Sequence, residues 1–461
     1  MDKVKTKKLS EIADVVDSLH KTPTYSEIGR SMVRVTDVCY GNLNLTNTFK
    51  VDEEIFKEFS RRYTPAKGDI VITRVGSYGN TALVYDTNFC LGQNTAAIIP
   101  HINHRYLYFA LNSKDLKDQI ESATVGSTQK TLSLKAINNL NIPRFSETEE
   151  RVIAKTLGDI DDKITINQQV NQTLEAMAQA LFKSWFVDFE PTRAKMIALG
   201  SGGSEEDASI AAMTTISGKS DDDLSKLKTT NPEAYAELHA TASLFPSRLV
   251  DGELGEIPEG WRVSEIGSEI EAVGGGTPST KEAEFWENGA IHWTTPKDMS
   301  NLKEKILIDT EHKITEAGLK KISSGLLPVN TVLMSSRAPV GYLAIAKIPV
   351  AINQGYIAMK CNKQLTVEFV IQWCVHNMED IKQRASGTTF AEISKKSFYP
   401  IPVIVPALTV LQSYTKRVIN FYSEIEKLAQ ENKNLAIIRD SLLPKLLAGE
   451  TSVNNQTDSE E

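Results

Sequence analysis

Two stretches, IAKTLGDIDDKITINQQVNQTLEAMAQAL (Ile153–Leu181) and YTKRVINFYSEIEKLAQENKNLAIIRDSL (Tyr414–Leu442), lie 261 residues apart and carry apolar side chains in one register. In the first, Ile153, Leu157, Ile160, Ile164, Asn171, Leu174 and Leu181 follow alternating steps of four and three, skipping one position at Asn167 and one at Ala178. Tyr414, Val418, Phe421, Ile425, Asn432, Leu435 and Leu442 repeat that series. Such spacing lines the residues up along one stripe of a helix. The pattern runs from Glu147 to about Phe186 and from about Leu408 to Leu447, which predicts two helices of roughly 60 Å at ~1.5 Å per residue. Either helix alone would expose its seam, so the two are expected to pack together as an antiparallel coiled coil. Asn171 and Asn432 fall at seam positions, where a buried amide fixes register at some cost in stability. Burial is less expected at Asn167, whose repeat partner is Leu428.

The 261-residue spacing also links Gln93 to Gln354 and Gly126 to Gly387, ahead of each helix, so the repeat unit is a globular domain plus a helix. Duplication is the simplest cause. In the first half, Lys67-Gly68-Asp69 turns into the run from Ile70 to Arg74, and Gly76 and Gly79 interrupt before Thr81 to Tyr85, the signature of a hairpin. Helical periodicity follows from Tyr106 to Ile120, then a polar loop from Gly126 to Lys130. The second half repeats the plan with Asn330 to Met334, a break from Arg337 to Gly341, a strand from Tyr342 to Ala346, the run Val350 to Met359, and helix from Val367 to Arg384. Between the halves, glycines 200, 202 and 203, acidic clusters and one short helical run from Pro232 to Ser243 read as a connector, long enough for the second unit to turn around. The expected division is globular domain 1–145, long helix 146–195, acidic connector 196–260, globular domain 261–407, long helix 408–450 and a polar, disordered tail 451–461. The fold class is α+β: two mixed α/β-type globular domains separated by two long antiparallel helices, a pseudo-twofold tandem repeat.

An apolar content of 41% with 24% charged residues is ordinary for a soluble globular chain. The longest apolar stretch, Ile401 to Leu411, is short and holds Pro402 and Pro406, so neither a membrane span nor a secretory leader is expected, and the location expected is cytoplasmic. Cys39, Cys90, Cys361 and Cys374 form no Cys-x-x-Cys pair and read as reduced core residues. The net charge of -8 resides in residues 201–260, with twelve acidic and four basic side chains, so the rest of the chain is neutral and leaves a DNA-binding surface open.

No catalytic constellation stands out. Gly274-Gly275-Gly276-Thr277-Pro278-Ser279-Thr280-Lys281 lacks the Gly-Lys-Ser/Thr ending of a phosphate loop. His101 and His104 have no ligand partner near them, and Asp159, Asp161 and Asp162 belong to the solvated face of a helix. Neither an Asn-Pro-Pro-aromatic motif nor a cofactor fingerprint is present. What recurs in both halves is polar loops. Thr73, Arg74, Ser77, Tyr78 and Asn80 form one, Gln93 and Asn94 a second, and Ser127, Thr128, Gln129 and Lys130 a third. The second half offers Ser335, Ser336 and Arg337, then Asn353 and Gln354, then Thr388 and Thr389, and Lys281 stands with them. Arg reads guanine, Asn and Gln read adenine, and Ser or Thr meets phosphate or base. Each loop alone reads first as an ordinary surface turn; their coincidence at repeat positions brings DNA contact level with that reading.

Asn171 to Pro191, NQTLEAMAQALFKSWFVDFEP, resembles the end of the central conserved region of type I restriction–modification specificity subunits. Gly275 to Ser279 with Phe285-Trp286, Ile291-His292-Trp293 and Pro296-Lys297-Asp298 resembles the opening of a target recognition domain in that family, and Ser441 to Glu450 its C-terminal ending. The resemblance implies two target recognition domains, each reading one half of a bipartite site in double-stranded DNA, with the helices as spacer. It implies partners as well: two modification subunits that bind S-adenosylmethionine and methylate adenine, and restriction subunits that use ATP and Mg to translocate and cut. No cofactor and no catalysis would belong to this chain. Because residues 1–145 and 261–408 differ greatly outside the shared loops, the implied target is asymmetric. The alternative is a scaffold whose duplicated domains bind protein.

Overall fold

The computed structural model describes residues 4–126, 130–387 and 391–450. These form two compact units, one running up to Thr165 and resuming at Asn432, the other from Ile166 to Glu431. The long helices, Glu147–Phe186 and Leu408–Leu447, both cross that division.

Each unit is built around an apolar run with no exposed position, Ile70–Thr73 in the first and Thr331–Ser335 in the second. A strand buried along its whole length needs neighbours on both edges and cover on both faces. In the first unit the sheet order is Ala13–Asp17, Thr95–Pro100, Ile70–Thr73, Thr81–Leu83, all antiparallel, with Ile70 opposite both Leu83 and Ile98. A second sheet sets Phe49–Val51 and Phe89–Leu91 on either side of Arg30–Val33. The expected hairpin is present. The helix expected from Tyr106 to Ile120 is two helices, His104–Asn112 and Lys114–Ala123, because Ser113 breaks the first and its hydroxyl caps the second.

The second unit repeats this plan with Glu271–Val273, Tyr356–Lys360, Thr331–Ser335 and Leu343–Ala346, and adds the short parallel strand Ile306–Leu307. Its smaller sheet sets His312–Ile314 and Ala351–Ile352 beside Ile291–Thr294. Of the cysteines, Cys90 and Cys374 are buried as expected, whereas Cys39 is exposed; all four are free thiols.

Within each unit the long helices run antiparallel. In the first, Arg439 meets Asp161 at 2.7 Å. In the second, Asn167 donates to Glu431 at 2.7 Å and the Tyr422 hydroxyl lies 3.2 Å from Glu175, so rising numbers on one helix oppose falling numbers on the other. Ile153, Leu157, Val418 and Ile425 are buried, while Ile160, Ile164, Leu174, Leu181, Phe421, Asn432, Leu435 and Leu442 are half-buried. Asn171 is buried and donates to Glu304 at 3.0 Å. Asn167, the less expected of the two on this helix, is buried as well. Near the C-terminal ends of the two helices the buried large side chains lie beside the predicted stripe: Phe182, Trp185 and Phe186 in the second unit, and Leu443, Leu446 and Leu447, their equivalents 261 residues on, in the first. These helix ends pack against a globular core as well as a helix, which demands a wider apolar face than a two-helix seam.

The stretch read as a connector holds the one helical run expected there, Pro232–Ser243, and three further helices before it. Glu190–Gly200, Glu205–Ser217, Asp221–Thr230 and Pro232–Ser243 enclose a small core of Ala212, Met213, Leu224, Leu238 and Ala242. Ser204 and Ser220 accept hydrogen bonds from the backbone amides of Asp207 and Asp223 as N-caps. The acidic clusters Glu205 to Asp207 and Asp221 to Asp223 occupy first turns, where carboxylates meet the positive end of the helix dipole. That pattern of Ser followed by acids was the overlooked signal.

Candidate nucleic-acid interface

In the first unit three loops share one hydrogen-bonded base. The Thr73 hydroxyl donates to the Ser77 carbonyl and accepts from the Asn80 amide at 3.0 Å, closing the first loop. The Arg74 amide donates to the Asn94 carbonyl at 2.8 Å, tying the first loop to the second. Leu132 N–H donates to the Arg74 carbonyl at 2.8 Å, and Val125 and Thr131 exchange two bonds of 3.1 and 2.9 Å, which brings in the third. The second unit repeats every link. Ser335 donates to the Pro339 carbonyl at 2.7 Å and accepts from the Tyr342 amide at 2.8 Å. Ser336 N–H donates to the Gly355 carbonyl, Ile393 N–H to the Ser336 carbonyl, and Ser386 and Glu392 exchange bonds of 3.0 and 2.9 Å. Gly126 and Gly387 stand at φ of +121° and +137° as the third loops begin, a conformation that L side chains avoid.

The side chains differ where the backbones agree. In the first unit the Tyr78 hydroxyl and the Lys130 ammonium both bond the Glu121 carboxylate, and the ammonium lies 5.9 Å from the Tyr78 ring centre. Lys130, then Tyr78, hold the Glu121 carboxyl below its ordinary range. Ser77 is exposed, and Asn80, Gln93 and Asn94 are half-buried. Arg74 is tied inward: its guanidinium pairs with Asp17 and donates to the Leu132 carbonyl at 3.2 Å, so it braces the loop base. His20 bonds the other oxygen of Asp17 at 2.7 Å.

In the second unit Ser336 is buried and takes part through its backbone, which corrects its reading as a surface contact. Arg337 lies 3.9 Å from Glu392 with its side chain about one-third exposed. Asn353 accepts from the Gly355 amide at 2.8 Å, and the exposed Gln354 accepts from the Thr277 hydroxyl at 2.5 Å. Lys281 is exposed just before the short helix Ala283–Phe285. Ser127, Thr128, Gln129, Thr388 and Thr389 lie outside the described residues. Sequence reading missed Asp17, Glu121 and Thr22, which contact loop residues 57, 43 and 71 positions away and carry no local sign of it. Among the described residues no group of three or more His, Cys, Asp or Glu side chains could hold a metal ion, and no helix is long and apolar enough to cross a membrane.

The sequence profile of the type I restriction modification DNA specificity domain matches residues 1–176 and 258–435. The chain belongs to this family. The HindI type I restriction enzyme specificity subunit of Haemophilus influenzae is 33% identical over 402 residues, spanning 83% of this chain and 86% of that protein. The MjaIX specificity subunit of Methanocaldococcus jannaschii is 33% identical over 193 residues, 41% of this chain and 44% of its own. The crystal structure of a type I restriction–modification S subunit from M. genitalium shares the fold, with a TM-score of 0.51 at 16% identity over 97% of each chain. Each three-loop base of this specificity-family protein falls inside one of the two profile matches, and the acid-capped helices fall between them.

Proposed function

We propose that this chain is the non-catalytic DNA sequence-specificity subunit of a type I restriction–modification complex, each recognition domain reading one half of an asymmetric bipartite target. The observation that carries the reading is the three-loop base: the same backbone bonds recur in both units while the side chains they display differ. A shared scaffold with unlike tips suits two readers of unlike sequences. The residues proposed to face DNA are Ser77, Tyr78, Asn80, Gln93, Asn94 and Lys130 in the first unit, and Lys281, Arg337, Asn353 and Gln354 in the second.

Catalysis belongs to partner subunits. The long helices set the spacing between half-sites and dock two modification subunits, which use S-adenosylmethionine to methylate adenine. Restriction subunits with ATP and Mg complete the complex in the cytoplasm. The chain itself needs no cofactor for this role. Sequencing methylated adenines in the host genome with and without this gene tests the proposal. A bipartite adenine motif should vanish with the gene; a methylome unchanged by the deletion refutes it.

A further inference from the structure

The glycine-rich loop that fails as a phosphate loop has a counterpart in the first unit. Thr22-Pro23-Thr24 follows the edge strand Ala13–Asp17, and Thr277-Pro278-Ser279 follows the edge strand Glu271–Val273. Both threonines reach the repeat-equivalent glutamine of the second reading loop. Gln93 Nε2 lies 3.5 Å from Thr22 Oγ1, and Thr277 Oγ1 donates to Gln354 Oε1 at 2.5 Å. The glutamines are 261 residues apart but the threonines 255, so the pairing recurs across loops of different length.

The loop is seated independently of that bond. A Cβ at Gly275 would come within 1.9 Å of the Ile352 carbonyl oxygen, so only glycine allows the approach. The Gly276 amide donates to that carbonyl at 3.0 Å, the Trp293 indole donates to the Gly276 carbonyl at 3.1 Å, and Pro278 is buried. In the first unit the Ser18 amide, ahead of Thr22, donates to the Thr95 carbonyl beside the glutamine loop at 3.3 Å. The Thr277 hydroxyl is thus held by a fixed backbone, whereas the exposed Gln354 side chain is free about three bonds. A glutamine that reads a base must surrender that freedom, and a hydroxyl that already holds one end of the amide lowers the ordering cost.

We propose that Thr22 and Thr277 are positioning residues for base reading: each holds the amide of Gln93 or Gln354 so that its outward edge meets a base edge of duplex DNA. This rests on the chain being a DNA specificity subunit. The test uses the full chain with its modification subunits, scored by the methylated-adenine motif in cells. Thr277→Val should reduce discrimination about fivefold or more at one motif position, the lower end of what one well-placed base contact supplies. Gln354→Ala should relax that same position, and Thr277→Ser, which keeps the hydroxyl, should preserve it. Thr22→Val and Gln93→Ala should relax one position in the opposite half of the motif. Valine variants with wild-type stringency, or with methylation lowered alike at every position, would overturn the proposal while leaving the parent reading intact. A wild-type complex without any bipartite motif would refute both.

Discussion

Replacing Leu446 by alanine should loosen the recognition domain farthest from it in sequence. Leu446 lies in the last helix of the chain, yet it is 2% exposed and belongs to the core that holds Leu9, Ile70, Tyr106, Ile153 and Leu157. Removing a buried leucine side chain loses its transfer energy and leaves a cavity, together about 2–5 kcal/mol, a large share of a typical domain stability of ~5–15 kcal/mol. At about 3 kcal/mol, with tenfold for every ~1.4 kcal/mol, the open population of the first unit rises by roughly two orders of magnitude. Hydrogen exchange followed by mass spectrometry on the whole chain reads this region by region. Amides of Ile70–Thr73 and Thr95–Pro100 should exchange about a hundredfold faster, while those of Thr331–Ser335 and Tyr356–Lys360 keep their protection. Trp185→Ala is the mirror experiment. Trp185 is fully buried, edge-on to Phe245 at 4.9 Å, and its loss at about 3–5 kcal/mol should expose the second unit and spare the first. If Leu446→Ala loosened Thr331–Ser335 instead, or neither sheet, the assignment of helix ends to cores would be wrong.

Three further outcomes follow from particular contacts. Glu121→Gln removes the carboxylate that occupies Lys130, so binding to DNA of unrelated sequence should strengthen and the slope of log K against log salt should steepen by about 0.9, one extra phosphate contact; an unchanged slope by fluorescence anisotropy would place Lys130 off the DNA. Asn171→Leu strands Glu304, so it should cost about 1–2 kcal/mol and lower Tm, and a rise in Tm would instead support a simple apolar seam. Burial lowers the pKa of His104 and His376, with Arg105 adding to the effect at His104, so the fold favours neutral rings. Their contribution is intact above the unfolded value of about 6.5 and is lost as pH falls below it toward the lower folded values; His376→Gln should flatten that acid limb of Tm against pH, and an unaltered limb would dismiss its role.

The loops illustrate how far local reading reaches. Gly76, Gly79 and Gly126 marked turns because only turns need such residues there, and the polar side chains around them marked candidate contacts. Whether a given side chain faces outward was a different matter. Arg74 and Lys130 are both cations beside loop glycines, yet one is folded onto Asp17 and the Leu132 carbonyl while the other sits exposed with Glu121. Ser336 makes the backbone bonds in the second unit that Arg74 makes in the first, and it is buried. The acid-capped helices after Gly203 were hidden for the opposite reason: Asp221–Thr230 has only Leu224 and Leu227 as apolar residues, and the acidic first turns raised the net negative charge that made the stretch look like a linker.

By itself the sequence determined the duplication, the two long helices, their antiparallel seam and the polar loops, because period and turn chemistry are properties of neighbouring residues and a repeat shows when one half of the chain is laid on the other. Only the tertiary structure decided which core each helix end completes, which cations brace loops and which threonine meets which glutamine. An apolar stripe states that a helix must be covered but not by what, and a pair such as Asp17 and Arg74, 57 residues apart, exists only through the path of the chain between them.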